Sequence, residues 1–200
     1  MPSETPSQET TFGYLSVIHS AEHGYFGGYL IVGPLGRPVE FHCTAPVRPS
    51  RAQQILYGPT LEPFLLGEQI AGAMLDAAKL KPRLILTNCD ATLHARSRIQ
   101  CPMVWLINSS RASSDPAAAA AGISLQEMTT SDGGPHDSFT IETFEFSLPI
   151  GFESDRDEAT RHLNALVRQI DLAEPFGRIE EAIREAQRLG GGTEAHDQAA

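Results

Sequence analysis

Residues 12 to 44 constrain the fold most. "FGYLSVIHS" (12–20), "YFGGYLIV" (25–32) and "VEFHCT" (39–44) are rich in aromatic and β-branched residues, as strands are. Only "AEHG" and "GPLGRP" separate them. Connections this short can reverse a chain but cannot carry a parallel crossover, so the three runs read as an antiparallel meander. Gly27 and Gly28 predict a bulge, or a close approach by another part of the chain.

The pattern then changes. "APVRPSRAQQILYGPTLEP" is broken by prolines, with Ser50 placed to cap a short helix over 51–57. Leu66, Ile70, Met74 and Ala77 fall at helical spacing and predict a helix over 64–79 with one buried stripe. "RLILT" (83–87) reads as a buried strand, 91–98 as a short helix and "MVWLI" (103–107) as a second strand. Strand, helix, strand in this order implies a parallel pair. "FTIETFEFSLPI" (139–150) reads as one further strand. Two amphipathic helices follow, one after a cap-like Ser154 and one beginning near Pro175.

The expected fold class is therefore α/β or α+β. It has a mixed sheet with an N-terminal antiparallel three-strand meander, a βαβ-type middle and a C-terminal helical pair. A single domain spans 12–188. Residues 1–11 read as a disordered arm and 189–200 as a disordered tail. The small, polar, alanine-rich stretch 109–137 reads as a flexible insertion, with a transient helix over "AAAAAGISLQEM".

Composition narrows the function classes. No apolar run approaches the roughly 18 residues of a membrane helix, and the N-terminus has no apolar signal region. Cys43, Cys89 and Cys101 are odd in number and widely spaced, which suits reduced thiols and a cytoplasmic location. Fifteen Lys and Arg stand against 25 Asp and Glu, a net charge of −10. Phosphate backbones attract basic surfaces, so this balance argues against nucleic acid as a partner.

"LILTNCDATLHARS" (84–97) is the stretch most like a site. Cys89 stands before a predicted helix and His94 one turn into it, an arrangement that permits a reactive thiol. The plainer account makes Asp90 an N-cap, pairs it with His94 at i, i+4, and buries Cys89 as a small apolar group. His42 and Cys43 are strand neighbours, point to opposite faces and form no dyad. Three scattered cysteines without C-x-x-C or H-x-x-x-H give no metal site. "HGYFGG" lacks the phosphate-loop pattern, and no G-x-S-x-G is present. Arg48, Arg51, Gln54 and Tyr57 form a polar loop-and-helix segment suited to binding.

The order strand, strand, strand, helix, strand, helix, strand resembles that of ribonuclease H-like domains. Those domains pair a three-stranded meander with parallel strands packed against helices. The resemblance implies acidic residues holding divalent ions around a phosphodiester. Glu68 in "LLGEQIAGAML" occupies the place of the family's helix Glu, and Asp90 that of the Asp after the fourth strand. The family's first-strand Asp has no counterpart in "YLSVIHS", and Glu22 lies in the following turn.

The first reading is thus a soluble protein-interaction or regulatory module, with a protein partner or homo-oligomer, no cofactor and no membrane. The alternative is a divalent-metal-dependent enzyme on a ribonuclease H-like scaffold, using Glu68 and Asp90 with Mg or Mn. A second alternative is a thiol enzyme centred on Cys89.

Overall fold

The computed structural model describes residues 10–107, 123–124 and 137–190. Most of the predicted arm, insertion and tail lies outside the described residues.

The meander forms as the pattern requires. β1 (Phe12–Ser20) pairs antiparallel with β2 (Gly24–Val32), which pairs antiparallel with β3 (Pro38–Cys43). β4 (Leu84–Thr87) joins β1 in parallel, and β5 (Met103–Leu106) joins β4 in parallel. The two-residue β6 (Ile123–Ser124) pairs antiparallel with the end of β1. These two residues fall inside the alanine-rich stretch read as a transient helix, and they are strand.

The run 139–150 is two strands rather than one. β7 (Asp137–Ile141) and β8 (Phe144–Leu148) form a hairpin, with Glu142 at φ 54° in the turn between them. Alternating aromatic residues on both sides of that turn make the two strands look continuous. The full sheet order is β3-β2-β1-β4-β5-β8-β7. A meander that leads into parallel strands is the architecture expected from the sequence.

Helices cover both faces. α1 (Arg51–Tyr57) begins with a complete capping box, in which Ser50 Oγ accepts from Gln53 N and Gln53 Oε1 accepts from Ser50 N. The predicted helix 64–79 is a π-helix (Pro63–Ala71) that continues into α2 (Gly72–Ala77). The helix after β4 is a 3-10 helix (Asp90–Arg98). The C-terminal pair is α3 (Arg156–Leu166) and α4 (Glu174–Gly190).

Two cores result. Ala159, Leu163, Leu166, Phe176, Ile179 and Ile183 of α3 and α4 bury their apolar faces against Phe12, Tyr14, Leu30 and Phe146. On the other face Leu65, Leu66, Ile70 and Met74 pack on Leu15, Tyr29, Ile31 and Ile85. Each fully buried aliphatic or aromatic side chain contributes roughly 1.5–3 kcal/mol. The apolar faces of the C-terminal helical pair are thus buried against the sheet of the same chain.

Gly27 and Gly28 mark close approaches on opposite faces. A Cβ at Gly27 would collide with Ile70 Cγ2, and one at Gly28 with Ile179 Cγ2. The bulge lies elsewhere, between Ile31 and Val32.

Candidate functional site at the carboxyl end of the parallel strands

In a sheet of this kind, ligands bind outside the carboxyl ends of the parallel strands. β1 and β4 pair from Phe12–Leu84 to Leu15–Thr87, so the chain leaves β4 level with the middle of β1. β1 continues to Ser20, where β6 takes over the pairing. The segment after Thr87 therefore opens beside Ser16, which is buried.

Two threonines fix that segment. Thr87 and Thr92 share a hydrogen bond of 2.7 Å between their hydroxyls. Thr92 Oγ1 donates to Cys89 O at 2.6 Å, and Cys89 N donates to Thr87 Oγ1 at 3.1 Å. All three bonds are buried, where they hold geometry firmly. The result departs from the expected N-cap: Cys89 occupies the cap position, and the Asp90 carboxylate accepts from Ala91 N at 2.7 Å.

The same turn separates the candidate residues. Asp90 and Cys89 are buried, whereas His94 is exposed. A 3-10 helix has three residues per turn, so the i, i+4 spacing that aligns Asp90 with His94 on an α-helix does not align them here. Burial, with the Asp90 charge second, pushes the Cys89 thiol up to about 12. It stays protonated at neutral pH, which removes the chemical basis of a thiol enzyme.

Asp90 acts instead on Glu62, a half-buried residue at the start of the π-helix. Burial raises the Glu62 pKa above its ordinary value, and the Asp90 charge raises it further. Tyr25 feels the same neighbourhood: burial raises its pKa, and the charges of Glu62 and Cys89 add to the effect. Glu68 is exposed, one residue after Gly67. Sequence reasoning missed Glu62 because it lies before Pro63, outside the apolar stripe that marks the helix. The i, i+6 separation from Glu68 gave no signal in its favour.

Gly67 joins the two helices of the site. A Cβ there would stand 2.7 Å from Ala91 O and 2.8 Å from His94 Cβ. Only a glycine lets the π-helix come so near the 3-10 helix. Asn88, just before the turn, has its side-chain Oδ1 buried without a hydrogen-bond partner.

Arg48, Arg51, Gln54 and Tyr57 lie on the same side of the sheet. Val47 bridges to Tyr25 through hydrogen bonds of 2.9 and 2.8 Å. Arg48 and Arg51 are exposed, Arg51 Nη1 donates to Gln54 Oε1 at 3.3 Å, and Tyr57 stacks on Phe64 at 4.3 Å. α1 buries no residue and exposes Ile55 and Leu56.

No family model matches this chain, and no curated protein matches it. Solved structures do. Human ENDOV is similar over 92% of this chain and 87% of its own, at 13% identity and a TM-score of 0.44. Endonuclease V of Ciona intestinalis, in complex with a 23mer DNA containing an inosine followed by a ribo-adenosine, matches 50% of this chain at 18% identity and a TM-score of 0.32. A second structure of that protein with a 24mer DNA matches at 19% identity and a TM-score of 0.31. The matches span 46% and 47% of the Ciona chains.

Two expectations are corrected. The first reading is a non-catalytic interaction module, whereas the matched structures are of endonuclease V, and the apolar faces of α3 and α4 are buried in the core. The second expectation is that nucleic acid is no partner, whereas two of those structures hold DNA. Charge is unevenly spread along the chain. Residues 12–108 carry eight Lys and Arg against six Asp and Glu, so the acidic excess lies outside this half.

Proposed function

We propose that this chain is a divalent-metal-dependent enzyme acting on a nucleic-acid phosphodiester, on a ribonuclease H-like scaffold. The electrostatic coupling of Glu62 to Asp90 at the carboxyl end of β4 carries this reading. Two carboxyl groups whose charges oppose one another at a strand end form an environment that a cation would relieve.

The oxygen donors at this strand end are of the kind that suits one hard cation rather than a cluster of two. Among the described residues no three His, Cys, Asp or Glu side chains gather to hold a metal ion. β1 places Ser16 beside the opening, and no residue of β1 is the Asp that the resemblance implies for the first strand. Magnesium, however, is commonly bound by one or two carboxylates, with waters and substrate phosphates completing its shell. Asp90, Glu62 and the unpartnered Asn88 Oδ1 supply oxygen donors of that kind. A bound cation would polarise a phosphoryl oxygen and acidify a water.

The chain's own residues supply the rest. Arg48 and Arg51 are free to meet phosphates, and the exposed α1 with the Tyr57–Phe64 stack offers a face for an unpaired base. Single-stranded DNA or RNA is the substrate class this surface suits.

End-labelled single-stranded DNA and RNA, incubated with the protein and millimolar Mg²⁺ or Mn²⁺, test the reading. Cleavage that requires the cation and is lost in Asp90→Asn and Glu62→Gln is expected. Intact substrate under all four combinations of strand and metal would overturn it.

A further inference from the structure

We propose that a second cavity, at the opposite end of the parallel strands, binds a small organic anion. Its volume is about 550 Å³, within the range of small-molecule sites. Residues 80–85, which lead into β4, and residues 98–101, which lead into β5, frame it. It therefore opens at the amino ends of these strands, the far end from Asp90.

The walls differ in character. Tyr29, Leu75 and Ile85 make an apolar floor that belongs to the core, and Lys81, Arg83 and Arg98 line the rim. Two carboxylates also line it. Asp76 Oδ2 accepts from Arg98 Nη2 at 3.0 Å. Glu158 lies 3.8 Å from His162 Nε2, whose pKa burial lowers, so the Glu158 charge offsets one of the two remaining cations and leaves a net positive mouth. Among the described residues Lys81 and Arg83 form no ion pair, and both are exposed. Lys81 Nζ reaches only Ala78 O, at 3.5 Å. The mouth thus holds two cationic groups above an apolar floor.

That pairing selects a ligand with a ring or short alkyl body and an anionic head, either phosphate or carboxylate. The body would lie on Tyr29 and Ile85, and the head would meet Lys81 and Arg83. Binding is non-covalent. Burial pushes the Cys101 thiol in the wall up to about 11, so it remains neutral.

Calorimetric titration with phenyl phosphate and benzoate separates the two heads; benzyl alcohol and inorganic phosphate test body and head alone. Saturable binding of at least one organic anion is expected, with neither control binding comparably. The Lys81→Ala/Arg83→Ala double variant, altered only at exposed positions, should weaken it by about tenfold. Asp90→Asn should bind as the parent does, which keeps this result separate from the fate of the proposed enzyme. Absence of saturable binding by both organic anions, equal binding of inorganic phosphate, or unchanged affinity in the double variant would overturn the proposal.

Discussion

Arg96 and Asp155 tie the 3-10 helix after β4 to the start of the C-terminal helices. Arg96 Nε donates to Asp155 Oδ2 at 2.6 Å and Nη2 to Oδ1 at 2.9 Å. Arg96 Nη1 also donates to Ile99 O at 2.7 Å, and the guanidinium lies over the Phe152 ring at 4.6 Å. Both side chains are largely buried, 8% and 12% exposed. Losing one partner of a buried pair leaves an uncompensated charge. Arg96→Met should therefore cost about 3–5 kcal/mol in urea unfolding. Arg96→Lys should recover only part of this, since an ammonium cannot make the two-pronged contact. Equal stability of all three proteins would refute the anchoring role.

The Asp90 charge bears on the titration of Glu62. The Glu62 pKa is raised in the folded protein, by burial first and Asp90 second. A carboxyl held above its unfolded value favours folding while protonated. That stability declines as pH rises from 4.5 through the folded pKa. In Asp90→Asn the Glu62 midpoint should fall toward its ordinary value. Carboxyl carbon NMR reads this directly, and an unmoved midpoint would show that the two groups do not sense each other.

Glu40 behaves in the opposite sense. Burial opposes its ionisation. Hydrogen bonds from Lys79 N at 2.8 Å, His42 Nε2 at 2.7 Å and Leu80 N at 2.9 Å outweigh that and hold the carboxyl at about 2. A depressed pKa contributes stability above pH 4.5 that is lost as pH falls toward 2. Glu40→Gln should lower the melting temperature at neutral pH and flatten its acid dependence in that window. A variant with the parent's pH profile would contradict this.

Gly67→Ala should disturb the candidate site without touching its carboxylates. The added methyl meets Ala91 O, a backbone atom, and His94 Cβ. Overpacking of this kind costs about 1–3 kcal/mol. Backbone amide shifts in 88–94 should accompany the loss, because the two helices must separate. Chemical denaturation and NMR on the same sample check both statements.

Cys89 should be the slowest thiol. It is buried with its pKa pushed up to about 12, whereas Cys43 is exposed. Iodoacetamide at neutral pH should label Cys43 first, and Cys89 only on unfolding. Rapid labelling of Cys89 in the native protein would restore it as a nucleophile.

Much of the scaffold was legible in the residues. Runs of β-branched and aromatic residues with connections too short for crossovers fix an antiparallel meander, and Ser50 announces the start of α1. The amphipathic spacing from Ala159 to Ile170 and from Phe176 to Ile183 marks two helices with one apolar face each. These signals are local, so the sequence by itself determined them.

Tertiary structure decided the remainder. Whether the last helices cover the sheet or await a partner depends on what the sheet offers them, and that is set by strands more than a hundred residues earlier. The hairpin hidden in 139–150 became visible only once β8 paired with β5. The partner of Asp90 was hidden for the same reason. Spacing on an ideal α-helix favours His94, whereas the 3-10 and π geometries, pressed together at Gly67, leave His94 exposed and bring the Asp90 charge to bear on Glu62. A charge's neighbours in space are chosen by packing, and no local pattern in the sequence records that choice.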